Sequence, residues 1–194
     1  RIDLHIQVLE AVEREVYFKD STKILWEKDE CLSKINDIKR YSYLVKCPKE
    51  GDYIACCNDF WWCMQNVAKG IWRDELPYAK NMLETIIRPK LDLMVSWWIG
   101  CEYNFQVSPG KLGKYFKRYL TEEYWEMYRQ TYTDAVYENM WQGIWAACRL
   151  FRELAQSVGD KLGFMYPIKD DGNMVEYLEA VGMLWILCYK RNYR

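Results

Sequence analysis

The stretch from Cys56 to Arg73, CCNDFWWCMQNVAKGIWR, is apolar enough to be a core helix, yet one side of it is not apolar. At about 100° per residue, Cys56, Cys57, Phe60, Trp61, Met64, Val67, Ala68, Ile71 and Trp72 fall on one continuous arc. Such an arc requires burial against other helices. The opposite arc collects Asn58, Asp59, Gln65, Asn66, Lys69 and Arg73, and Trp62 sits in the middle of it. An aromatic ring among polar groups either packs on a neighbouring element or walls a ligand cleft, and spacing alone leaves both open.

A chain of 194 residues makes one sizeable domain with at most a small appendage, and buries roughly 70% of its unfolded surface. Net charge is −1 with 28% charged residues, so no global basic field points to nucleic acid. Ten Trp and 16 Tyr supply more rings than a core needs, leaving some for stacking. Eight cysteines without a C-x-x-C pair, and the single histidine His5, give no zinc-ligand spacing. They read as free thiols of a reducing, cytoplasmic compartment. No signal peptide and no run of about 18 apolar residues occurs, so neither secretion nor a membrane span is expected. The chain begins at Arg1 without a methionine and runs at once into a strand pattern, which reads as a piece of a longer protein.

Residues 2–7 alternate strictly, with Ile2, Leu4 and Ile6 on one side and Asp3, His5 and Gln7 on the other. A short helix about 9–18 and a second strand at 22–26 follow; residues 31–47 read as a loop. Pro48 suits a helix start, with Glu50 and Asp52 complementing its positive end. Pro77 begins the next helix, Pro89 kinks or restarts it, and Gly100 is its expected stop. The segment 108–114, SPGKLGK, runs into a short basic helix at 114–120; it lacks the full phosphate-loop pattern and a preceding strand. Thr121 is expected to cap one helix and Asp134 a long one closed by Gly163. A turn at Asp170-Asp171-Gly172 then leads to a last helix about 174–189. The fold expected is mainly α: five or six helices over residues 48–194, with a small β remnant in residues 1–47.

RIDLHIQ (1–7), TKILWEKD (22–29), CCNDFWW (56–62), VAKGIWR (67–73), IIRPKL (86–91), SWWIG (96–100), GKLGKYFKRYL (110–120) and ACRLFRELA (147–155) together resemble the aminoglycoside 6-adenylyltransferase (streptomycin adenylyltransferase) family. The resemblance implies an N-terminal nucleotidyltransferase domain like that of DNA polymerase β, a helical C-terminal domain, and substrates between them. The β remnant would then be the end of the first domain. It also implies three aspartates holding Mg²⁺ against ATP, the third matched by Asp3; the first two, with their Gly-Ser motif, have no match in these 194 residues. Hard Mg²⁺ takes oxygen ligands and bridges the triphosphate, and one aspartate cannot do this. Residues 1–194 alone are therefore expected to be inactive.

By the same resemblance Lys69, with Arg73 beside it, is a candidate for the triphosphate. Lys111 and Lys114 match lysines of the family's glycine-lysine stretch, although Leu112-Gly113 replaces its usual Asn-Tyr. The implied acceptor is an aminoglycoside, streptomycin in the first place. A polycation gains from carboxylates and ring faces together, which favours Asp59 and Trp62, then Glu102, Glu138 and Trp141. No general base is assigned. The competing reading is a non-catalytic helical module whose Trp62 face contacts another chain.

Overall fold

The computed structural model describes residues 44–192 without a break, with side chains as far as residue 188, and isolated positions 4, 6, 8, 10, 26 and 28. The chain divides into two compact units, Arg1–Leu44 and Val45–Arg194, and every element below belongs to the second. Of the strands expected at 2–7 and 22–26 only positions 4, 6 and 26 are described, each exposed and none in a strand; the rest of them, and with it the β remnant, lies outside the described residues.

Helix α1 spans Glu50–Trp72. The Lys49 amide donates to the Asp52 carboxylate at 3.2 Å, and Glu50 and Asp52 stand at the positive end of the dipole. Asp74, at φ 57°, turns the chain out of the helix while the Glu75 amide returns to the Gly70 carbonyl at 2.8 Å. Gly70 is required here: a Cβ on it would lie 2.9 Å from that of Ala79.

Helix α2 (Leu76–Asn81) passes through a π-helical turn, Met82–Ile87, into α3 (Arg88–Glu102). Pro89 has no N–H to give the preceding turn, and widening that turn accommodates the missing bond without breaking the rod. Of the two outcomes expected at Pro89, a restart does not occur: the π turn runs directly into α3. Gly100 does not end α3, which runs on to Glu102; its missing side chain admits Phe105, whose ring would lie 2.5 Å from an added Cβ.

The basic segment is less helical than its composition implies. Gly110, Leu112 and Gly113 all have positive φ, so a 3₁₀ turn (Lys111–Gly113) and the four-residue α4 (Phe116–Tyr119) replace a helix over 114–120. Thr121 caps α5 (Glu122–Gln130), its hydroxyl accepting the Tyr124 amide at 3.2 Å. Helix α6 (Tyr137–Leu162) begins two residues later than a cap at Asp134 would place it. Asp134 instead accepts from the Val136 amide and the Asn139 side chain, both at 2.9 Å, which hold its pKa below the ordinary value. Gly163, at φ 75°, closes α6. Helix α7 (Ile168–Asn192) absorbs Asp170-Asp171-Gly172 into its opening turns rather than leaving them in a loop.

Residues 44–192 form seven α-helical segments, and no described residue lies in a strand. With α2 to α3 taken as one rod and short α4 set aside, five substantial helices remain. Helix α1 is central, packed on α7, α2 and α3, while α6 packs on α3 and α5. Phe60 stacks on Phe151 at 3.8 Å and meets Trp61 edge-on, and Tyr53 donates across the core to the Ala155 carbonyl at 2.8 Å. All four of these α1 and α6 aromatic rings are at most 1% exposed, each contributing roughly 1.5–3 kcal/mol by burial.

Candidate functional site

The apolar arc of α1 is buried as its spacing requires, with one exception: Trp72 is 46% exposed. It stands in the last turn of the helix. The polar arc remains open. Trp62 is 66% exposed, and Asp59, Trp62, Lys69 and Arg73 form a strip about 21 Å long at 1.5 Å per residue.

The strip is ordered by local and tertiary bonds. Gln65 donates to the Trp62 carbonyl at 3.1 Å and accepts from Lys69 Nζ at 2.8 Å, which holds that ammonium along the helix rather than free in solvent. Asp59 is paired across the groove to Lys90 of α3 at 2.7 Å. The hydrogen bond to Asp59 lifts the Lys90 pKa above the ordinary lysine value.

Two clefts open beside α1. One, of about 310 Å³, lies between its last turn and α7 and is lined by Lys69, Trp72, Arg73, Tyr177, Val181 and Leu184. It combines two cations with two aromatic rings, a lining suited to a flat anionic ligand. The other, of about 340 Å³, lies at the first turns of α1, with Asp52, Cys56, Lys90, Leu93 and Trp97 among its walls. Burial pushes the Cys56 thiol up to about 12, so it is no nucleophile at neutral pH.

The family model for streptomycin adenylyltransferase matches residues 1–181. The chain belongs to that family. It is 32% identical over 182 residues to the aminoglycoside 6-adenylyltransferase of Bacillus subtilis (strain 168), covering 92% of this chain and 63% of the relative. It is 33% identical over 171 residues to that of Campylobacter jejuni, covering 88% and 59%. A crystal structure of an aminoglycoside 6-adenyltransferase from Bacillus subtilis superimposes with a TM-score of 0.65 at 34% identity, over 72% of this chain and 52% of the other. The chain thus spans about 60% of the length of the curated relatives it matches.

Against this family frame, the other sequence-derived candidates are dispersed. Glu102, at the end of α3, is paired with Lys161 of α6. Glu138 is exposed in the first turn of α6. Trp141 is 6% exposed and stacks toward Trp145, so its ring belongs to the core between α6 and α7. Lys111 and Lys114 are exposed in the glycine-lysine segment, Lys114 lying 4.8 Å from the centre of the Tyr115 ring. Asp3 lies outside the described residues. Among the described residues no three His, Cys, Asp or Glu side chains are grouped to hold a metal ion. Nor is any of the described helices long and apolar enough to cross a membrane.

Lys90, Tyr177, Val181 and Leu184 escaped the sequence reading. Lys90 sits 31 residues from Asp59 and the α7 residues more than 100 from Lys69, and no periodicity within one helix reports on a groove shared by two. Trp72 was hidden for a related reason: a helical wheel has no term for a cleft left open between two helices, and Trp72 lines one with α7.

Proposed function

We propose that the complete protein transfers AMP from Mg²⁺-ATP to a hydroxyl of an aminoglycoside, with streptomycin as the expected acceptor, and that the open strip of α1 is the helical unit's contribution to the site. The observation that carries the reading is Trp62, exposed between the Asp59 carboxylate and the Lys69 and Arg73 cations. The acidic and aromatic end suits a polycationic drug. The cationic end, with its adjoining cleft, suits the triphosphate, whose charge grows on the leaving pyrophosphate as the hydroxyl attacks the α-phosphorus. Asp3 with two further carboxylates would hold Mg²⁺ in the complete protein, and the bound ion would supply charge neutralisation. Family membership and the relatives' names support the reaction class; the strip supports the division of labour.

Steady-state kinetics on the complete protein test the division. Trp62→Ala and Asp59→Ala are expected to raise KM for the drug at least fivefold more than KM for ATP, and Lys69→Ala to do the reverse. Equal effects on both substrates would assign these residues to packing. Residues 1–194 alone are expected to transfer no radiolabel from ATP to streptomycin, and magnesium-dependent transfer by them would overturn that expectation.

A further inference from the structure

Lys69 is held in a different way from several other lysines of the bundle. Lys80, Lys90 and Lys161 each pair with a carboxylate, those of Glu84, Asp59 and Glu102. The Lys69 ammonium instead donates to a neutral amide, Gln65 Oε1, at 2.8 Å. A carboxylate cancels the charge of the lysine it holds, whereas an amide oxygen fixes the ammonium in place and leaves that charge undiminished. The bond also uses one of the three ammonium donors.

The orientation of the amide is itself determined. Gln65 Nε2 donates to the Trp62 carbonyl at 3.1 Å, one turn back along α1. Reversing the amide would set its oxygen against that carbonyl and its NH₂ group against the ammonium, replacing two bonds by two repulsive contacts. The backbone of α1 therefore decides that the oxygen of Gln65 faces Lys69. Both side chains are half-buried.

The place where the ammonium is held is one where position counts. Lys69 and Arg73, four residues apart, share a helix face and line one cleft with Trp72 and Tyr177. A lysine that roams in solvent must give up the rotamer freedom of its four-carbon stem on meeting an anion, and one tethered in the free protein has given up part of it beforehand. On the assignment of the cationic end of the strip to the triphosphate, on which this inference rests, we propose that Gln65 is a positioning residue for the nucleotide, acting through Lys69.

Isothermal titration calorimetry of the complete protein, with Mg²⁺-ATP and streptomycin titrated separately, tests this. Gln65→Leu, a change to a good helix former, is expected to weaken ATP binding about three- to tenfold, with streptomycin binding and helical circular dichroism unchanged. In a Lys69→Ala background the same change is expected to add nothing, because the group it positions is gone. Gln65→Glu keeps a bond to the ammonium but cancels its charge, and is expected to weaken ATP binding at least as far as Gln65→Leu does. If Lys69→Ala weakens ATP binding and Gln65→Leu does not, the positioning role is overturned while the cationic end keeps its assignment. If Lys69→Ala leaves ATP binding unchanged, the assignment and the positioning role fall together. Additive effects of the two changes, equal weakening of both ligands, or tighter ATP binding by the Gln65→Glu variant also overturn the proposal.

Discussion

Asp59 illustrates how a residue with a suitable charge can still be held back from a ligand. Its carboxylate is tied to Lys90 at 2.7 Å, and the bond raises the Lys90 pKa. A lysine raised in the folded state contributes stability that is complete below its ordinary value and lost as pH climbs through the raised one. The pair is therefore intact at neutral pH, and on the proposed reading a cationic acceptor would compete with Lys90 for Asp59. Lys90→Met should free the carboxylate: drug KM in the complete enzyme is expected to fall two- to fivefold with ATP KM unchanged, and a rise in drug KM would show that Lys90 positions Asp59 instead. Both side chains are about a third or more exposed, so the change should cost less than about 1 kcal/mol in a urea melt.

Helix boundaries follow local chemistry where a single group decides them. Thr121 caps α5 by a bond to the Tyr124 amide, and Thr121→Ala is expected to destabilise the protein by about 1 kcal/mol, read as a lower denaturation midpoint at constant m-value; Thr121→Ser should lose less than half of that. Boundaries set by distant groups behave differently. Asp170-Asp171-Gly172 has the composition of a turn, yet it lies inside α7. Asp171, only 3% exposed, accepts from Arg152 Nε and Nη2, each at 2.5 Å, and from the Tyr166 hydroxyl at 2.8 Å, and these bonds come from α6 and the segment preceding α7. Likewise the π turn before Pro89 lies in a rod that Arg88 anchors. Its guanidinium donates to Glu84, to the Thr131 hydroxyl at 2.6 Å and to the Thr131 carbonyl at 2.9 Å, and lies 3.8 Å from the centre of the Tyr132 ring.

At the scale of the molecule, the bundle is held by an aromatic core and a few buried polar clamps. Removing one partner of the Arg152–Asp171 clamp leaves the other charge unpaired, so Asp171→Ala is expected to cost about 2–4 kcal/mol. Asp171→Asn, which keeps hydrogen-bond capacity but not charge, should cost distinctly less, both read by chemical denaturation. A near-zero effect of Asp171→Ala would mean that α7 docks through its apolar face alone. That docking matters for the site, because the cleft beside Lys69 and Arg73 takes one wall from Tyr177, Val181 and Leu184 of α7. Loosening α7 should therefore raise ATP KM in the complete enzyme, if the cationic end of the strip serves the triphosphate.

The open strip of α1 and its buried reverse were legible in the residues alone, because a helix repeats every 3.6 positions and its two faces are written in one local stretch. The caps at Thr121 and Gly163 were legible for the same reason: each acts within one turn. Which charges remain available was decided only by the tertiary structure. Lys90 claims Asp59, Lys161 claims Glu102, and Trp141 lies in the core; each outcome depends on where a second helix passes. So too the clefts beside α1, which are volumes between elements and have no counterpart in the order of residues along any one of them.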